Sequence, residues 1–351
     1  EMKRIFISVV LLLLTMGLSA QQPVSLPWRP KVIAMDSKDN LYIFFEDMLL
    51  KITPDGNSGY VTENIAKDFR GSRAPACDMM VFDSKDNLYM AGKQSGMIWK
   101  MDPSGKFSLF AGQGTFRNIS IDCPASDAYF ANIINLAIDP SDNLWVMEEG
   151  YSDEKIKGQK ACVLRKVTPE GTVSTLKNKD GTPLLIAKYD YMHCSLKGEL
   201  IFMNNDCIAR LKEDGSMATV VGQCKQKVCP VYKSGDLTTA QIAFPYGIVF
   251  DKKGIMYISA GIQRILKVEN NKLIEVAGAE KIGTPCVSTV SGTNGGYKDG
   301  PAKIALFYNP GIMVMDSKEN IYILEKANGA VRKLTKSGMV STVARLNTAT
   351  K

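Results

Sequence analysis

Short apolar runs, broken by turns rich in Asp, Asn, Gly and Lys, repeat along this chain as one phrase. It reads apolar-x-apolar-Asp, a turn, an apolar-aromatic-apolar run, then apolar-x-Lys/Arg-apolar and a Gly turn. Its copies open at Ala34-Met35-Asp36, Val81-Phe82-Asp83, Ala137-Ile138-Asp139, His193-Cys194-Ser195, Val249-Phe250-Asp251 and Val314-Met315-Asp316. The Asp, or Ser195 in its place, advances by 47, 56, 56, 56 and 65 residues. Alternating apolar positions with β-branched and aromatic side chains predict strands, and the Gly, Asn and Asp clusters predict the turns between them. Four such strands per copy cannot bury both faces alone, so the copies must stack on one another. The predicted fold is all-β: a six-bladed β-propeller of four-stranded antiparallel blades at 31–62, 78–112, 133–176, 189–222, 245–278 and 310–344.

Strand order then sorts the loops. In an up-and-down blade the first and third turns lie on one face of the disc, and these are all tight here. The other face receives the connections 63–76, 113–132, 177–187, 223–244 and 279–309, and the long third-blade hairpin 149–161. Loops on a rigid scaffold carry function more often than the scaffold does, so the long-loop face is where a site is expected. On the innermost strands, Met35, Phe82, Ile138, Cys194, Phe250 and Met315 suit packing between blades. The alternate set, with a ring of Ala34, Val81, Ala137, His193, Val249 and Val314, is expected to face a central channel. The next ring toward the long loops is Val32, Met79, Asn135, Tyr191, Gly247 and Ile312.

The last copy contains Asp299-Gly300-Pro301, Ala305-Leu306-Phe307, Pro310-Gly311-Ile312, Asp316, Asn320-Ile321-Tyr322, Val331-Arg332-Lys333-Leu334 and Val340-Ser341-Thr342. This resembles an NHL repeat, as does the set Ala240, Ile242, Pro245, Gly247-Ile248, Asp251, Gly254 and Tyr257. The resemblance covers 31–344 and implies a six-bladed propeller. That family includes scaffold and ligand-binding modules, a few lyases and lactonase-like relatives, so it implies no single activity.

Composition narrows the class. The chain has 351 residues, 45% of them hydrophobic, and a net charge of +7 spread along its length. Without a basic block or an aromatic–basic motif, nucleic acid is not an expected partner. Residues 1–20, with Lys3-Arg4, an apolar stretch at 5–14 and Gly17-Leu18-Ser19-Ala20, read as a cleavable signal peptide, leaving 21–351 as the propeller. Since the first cysteine is Cys77 and no later run could span a bilayer, the expected protein is secreted or periplasmic, without a lipid or membrane anchor, and monomeric.

Eight cysteines in an exported chain allow disulfides. Cys77, Cys123, Cys162, Cys207, Cys224, Cys229 and Cys286 fall on the long-loop side as candidates, while Cys194 is expected between blades. No C-x-x-C spacing and a single histidine argue against a zinc cluster.

The candidate chemistry lies where the repeat is broken. His193 could move protons with Tyr191, or simply bond channel water. Asn135, Asp190, Tyr191, His193 and Tyr246 are expected near the channel mouth, with Asn309 on a neighbouring crossing. Glu148 and Glu149 enter the acidic third-blade hairpin, and Asn204 and Asn205 occupy its counterpart in the fourth blade. These oxygens suit calcium or sugar hydroxyls; no cofactor is expected, with a divalent cation such as calcium as the alternative. The repeated Asp ring could hold a cation or fix its turns. The expected function is non-enzymatic: an exported binding or scaffold protein presenting long loops to a glycan, peptide or protein. The alternative is a metal-assisted lyase or lactonase-like hydrolase using His193 or Tyr191 with Glu148, Asn135 and Asn205 as ligands.

Overall fold

The repeated phrase forms six four-stranded antiparallel sheets arranged as the blades of a β-propeller. The computed structural model describes residues 22–65, 77–93, 95–114, 122–149, 162–225, 232–279 and 296–347. Residues 1–20, expected to be a signal peptide, Cys229, Cys286 and most of the third-blade hairpin lie outside these. The innermost strands are Val32–Met35, Met79–Phe82, Asn132–Ile138, Tyr191–Cys194, Pro245–Phe250 and Pro310–Met315.

The core is divided into six wedges, one at each junction between blades. Strand periodicity explains the division. In Leu41–Phe45, Tyr42 and Phe44 pack toward blade 2, while Leu41, Ile43 and Phe45 pack toward blade 6. Met35, Phe82, Ile138, Cys194, Phe250 and Met315 each pack in the junction with the preceding blade. The alternate residues do not all face the channel as expected. Ala137 and Val249 are buried in the junction with the following blade.

The repeated Asp fixes its turn. Asp36 Oδ1 accepts the N–H groups of Lys38 and Asn40 at 3.0 and 2.9 Å, and Oδ2 accepts Asn40 Nδ2 at 2.7 Å and the Tyr42 hydroxyl at 3.3 Å. Asp83 repeats all four bonds, and in blade 3 Trp145 Nε1 donates to Asp139 at 3.0 Å. The repeated lysine lies over the aromatic ring, with Lys51 5.6 Å from the Tyr42 centroid and Lys333 5.0 Å from that of Tyr322. These residues build blades. In blade 4 the carboxylate has moved four residues: Ser195 replaces Asp, Glu199 replaces Asn, Ile201 replaces the aromatic, and Arg210 pairs with Glu199 at 2.6 Å.

The same turns tie blades together. Ser37 donates through its N–H and hydroxyl to Asp86 at 2.8 and 2.9 Å, Ser84 to Asp142 at 2.8 and 2.6 Å, and Ser317 to Asp39 at 2.7 and 2.6 Å. Lys252 N–H donates to Glu319 at 3.2 Å. The accepting position has a left-handed backbone, with φ of 63° at Asp39 and 82° at Gly198. Glycine adopts it at least cost, and Asp is retained where its carboxylate has a neighbour to hold. At the two junctions flanking blade 4 the acceptor is Gly198 or Gly254, and the donor position holds Pro140 or Leu196. The hydroxyl donor and the carboxylate acceptor are missing together.

Ring closure has a second element. Val24–Leu26 pairs in parallel with Met339–Leu346 as an extra outer strand of blade 6, and Asn347 N–H donates to the Leu26 carbonyl at 2.8 Å. Leu26 is fully buried.

Among the described residues three arginines are buried, Arg165, Arg264 and Arg332, and two of them hold equivalent places in blades 3 and 6. Arg332 donates to Glu325 at 2.7 Å, to Asp299 at 2.6 Å, and to the carbonyls of Leu306 and Lys298 at 3.1 and 2.9 Å. Arg165 holds the equivalent place in blade 3, 2.8 Å from Glu148 and 3.1 Å from Asp122. Cys207 and Cys224 form a disulfide across 17 residues in blade 4. Cys77 and Cys162 were disulfide candidates but are reduced and buried in different wedges, between blades 1 and 2 and between blades 3 and 4, where they cannot meet. Cys123 packs at the junction of blades 2 and 3, and Cys194 is a buried thiol between blades 3 and 4.

A candidate ligand site at the channel mouth

The six inner strands converge on a cavity of about 310 Å³ that opens toward the long-loop face. Its inner wall is the apolar ring foreseen from alternation: Val32, Ala34, Val81, Ile312 and Val314, with Gly247 where a side chain would meet the Gly311 carbonyl. Asn135, Asp190, Tyr191, His193 and Tyr246 all line it. Asn135, Asp190, Tyr191 and Tyr246 come from one register position, or its neighbour, on successive blades, and His193 from the ring two residues further in.

On the side of blades 3 to 5, Asn135 Nδ2 donates to the Asp190 carbonyl at 3.2 Å. Tyr191 and Tyr246 meet edge to face, with centroids 6.0 Å apart at 72°. Burial, reinforced by the neighbouring phenol and the Asp190 carboxylate, pushes the Tyr191 hydroxyl up to about 12, so it is a neutral hydrogen-bond donor at physiological pH. Asp190 is exposed at the rim.

His193 lies deeper, its ring 5.8 Å from Phe250. Nδ1 is 2.7 Å from the Cys194 carbonyl, which can only accept, so the proton sits on Nδ1. Burial lowers its pKa, partly offset by that bond, so the imidazole is held neutral.

The opposite rim, from blades 6, 1 and 2, carries charge that the strand periodicity did not single out. Lys93, Lys326 and Asp78 line the cavity there. Asp78 accepts the backbone N–H of Lys93 at 2.8 Å. Lys31 adds to the field at Lys326 but lies 3.7 Å from Glu46. The enclosing walls lower the Lys326 pKa, opposed by Asp78 and abetted by Lys93 and Lys31, while its side chain keeps contact with solvent through the mouth. Asp78 occupies the blade 2 position that Asp190 holds in blade 4; each N–H donates to the last strand-2 carbonyl or its neighbour, at Ala91 and Met203.

The other sequence candidates do not line the cavity. Glu148 is fully buried, paired with Arg165, and accepts the Ala131 N–H at 2.9 Å. Its equivalent in blade 6 is Glu325, so it is part of the blade scaffold and not a break in the repeat. Glu149 is bound by Lys188 at 2.8 Å. Asn204 Oδ1 accepts the N–H groups of Asp206 and Cys207 at 3.2 and 3.1 Å, fixing its own hairpin. The Asn205 carbonyl accepts the Phe244 N–H at 2.8 Å, and Asn309 N–H donates to Gln263 at 2.6 Å. The ligand set Asn135, Glu148 and Asn205 is therefore not brought together. Among the described residues no group of three or more His, Cys, Asp or Glu is placed to hold a metal ion.

No protein-family model and no curated protein sequence matches the chain. Among solved structures, it is similar to auxiliary nutrient binding proteins from Bacteroides thetaiotaomicron (13% identity, TM-score 0.60, 90% of this chain and 69% of that one) and Bacteroides ovatus (16%, 0.59, 91% and 70%). It is also similar to a gluconolactonase from Xanthomonas campestris (9%, TM-score 0.54, 91% and 88%). At these identities the likeness shows the six-bladed propeller fold. No described helix is long and apolar enough to cross a membrane.

Proposed function

We propose that this is an exported, monomeric binding protein of the NHL-repeat type, with its ligand site at the channel mouth on the long-loop face. The observation that carries this reading is the convergence of Asn135, Asp190, Tyr191 and Tyr246 on one cavity. Such a site combines apolar walls with a few convergent polar groups, as small-molecule sites do. Its volume of about 310 Å³ sits at the low end of the roughly 300–1,000 Å³ usual for such sites. That supports a short glycan or a peptide end over a broad protein surface. The nutrient-binding neighbours are consistent with ligand binding, and the disulfide with an oxidising compartment. The test is a glycan and peptide array probed with the purified protein and with Tyr191→Ala. Specific binding abolished by the substitution is expected; an array that stays blank, or a Tyr191→Ala protein that binds as well, counts against the site.

A further inference from the structure

The cavity has two unlike rims, and their chemistry narrows the ligand. Lys93 and Lys326 sit on the strand-2-to-strand-3 hairpins of blades 2 and 6, and neither ammonium has a carboxylate within ion-pair distance among the described residues. Lys326 is also held in place. Its own carbonyl and that of Ala327 accept Arg29 Nη1, both at 3.0 Å, and the preceding Glu325 is locked to Arg332. Solvated cations at the mouth of a cavity, with no carboxylate partner among the described residues and one of them on a braced hairpin, suit an anion. Across the cavity stand an aromatic pair and the acceptors of Asp190 and Asn135, which suit a hydroxylated ring.

Resting on the binding function proposed above, we propose that the ligand is a sugar acid. Its carboxylate lies between Lys326 and Lys93, its ring packs against Tyr191 and Tyr246, and its hydroxyls donate to Asp190 and Asn135. Charge favours a carboxylate over a phosphate. With Lys31 directed to Glu46, this rim has Lys93 and Lys326 against Asp78, a local excess of one positive charge that matches a monoanion. Asp190 across the cavity brings the lining as a whole to neutral, so a dianion is left uncompensated.

Calorimetric titration with D-glucuronate and D-galacturonate, beside D-glucose, D-galactose and glucose 6-phosphate, tests this. The uronates should bind about tenfold or more tightly than the neutral sugars, with affinity falling as NaCl is raised. Lys326→Met and Lys93→Met should each remove that preference without altering weak binding of the neutral sugars. Equal affinity for uronates and neutral sugars overturns the acidic ligand but leaves the glycan site standing. Tighter binding of glucose 6-phosphate likewise overturns the carboxylate assignment alone. If no sugar binds while the peptide array is positive at a Tyr191-dependent site, the sugar acid is excluded and the cavity is retained; if both are blank, both readings fall.

Discussion

Replacing Arg332 by Met isolates the energetics of the buried arginine in blade 6. The guanidinium is fully buried and bonded to Glu325, Asp299 and two carbonyls. Removing it strands the equally buried Glu325, whose remaining donors are Tyr308 N–H at 2.6 Å and Asn328 Nδ2 at 3.2 Å. Breaking a buried pair from one side costs about 3–5 kcal/mol, because a charge is left in a poorly solvating interior. Glu325 has a way out: it can take up a proton. Burial already raises its pKa above 4.5, and Arg332 is a principal opposing influence. A raised carboxyl binds more protons folded than unfolded, so its contribution falls as pH rises through the window above 4.5. Loss of Arg332 raises that pKa further and widens the window upward. The deficit of Arg332→Met should therefore be about 3–5 kcal/mol at pH 8 and shrink toward pH 5, at up to ~1.4 kcal/mol per pH unit while Glu325 titrates. Urea unfolding of wild type, Arg332→Met and the Glu325→Met/Arg332→Met pair at pH 5, 6.5 and 8 measures this. The double variant should recover most of the loss at pH 8. A pH-independent deficit, or a double variant no better than the single one, refutes the reasoning.

Other outcomes follow from single features. Replacing both Cys207 and Cys224 by Ser opens a 17-residue loop and should cost about 2–4 kcal/mol; calorimetry should give the variant the melting temperature of reduced wild type, and a melt matching the oxidised protein would contradict it. His193 is the chain's one histidine, so its NMR signal needs no assignment. Its midpoint should fall below 6.5, with stability declining as pH drops below that value, and His193→Asn should remove that slope; a midpoint above 6.5 would show the imidazole is not desolvated. Ser195→Asp, although it restores the repeat, should lower stability by about 0.5–1 kcal/mol because Glu199 lies 3.4 Å from the Ser195 hydroxyl. Adding Glu199→Asn should recover the loss, and a stabilised single variant would show that the two carboxylates are not in conflict.

Much of this architecture was legible because it is periodic. The Asp-Asn-aromatic-Lys set, the junction-facing residues of the inner strands and the grouping of Asn135 and Tyr191, with His193 one ring further in, all follow from a strand register repeated around the disc. Asp190 and Tyr246 lie beside that register and were found with it. Lys93, Lys326 and Asp78 were not, because they stand one or two residues beyond strand ends, where alternation no longer says which way a side chain points. Asp78 did carry a signal: it precedes its inner strand as Asp190 does. Glu148 was misjudged for a different reason. Its partner Arg165 also binds Tyr129 and Asp122 in the crossing before the blade, a contact between segments that no local pattern records. The disulfide was equally illegible, since seven cysteines on one face permit many pairings and only Cα proximity chooses among them.

The inter-blade bonds are distributed out of step with the covalent chain. The ring's natural break falls between blades 6 and 1, yet that junction has both the Ser317–Asp39 bonds and the parallel strand Val24–Leu26. Blade 4 is covalently continuous with both neighbours but, among the described residues, has none of the Ser–Asp bonds on either side. A circular permutant that joins the ends at blade 6 and opens the chain in the Leu196–Gly198 turn would therefore sever no inter-blade bond of this type. The propeller's sequence origin and the blade that lacks these turn-to-turn bonds lie on opposite sides of the disc.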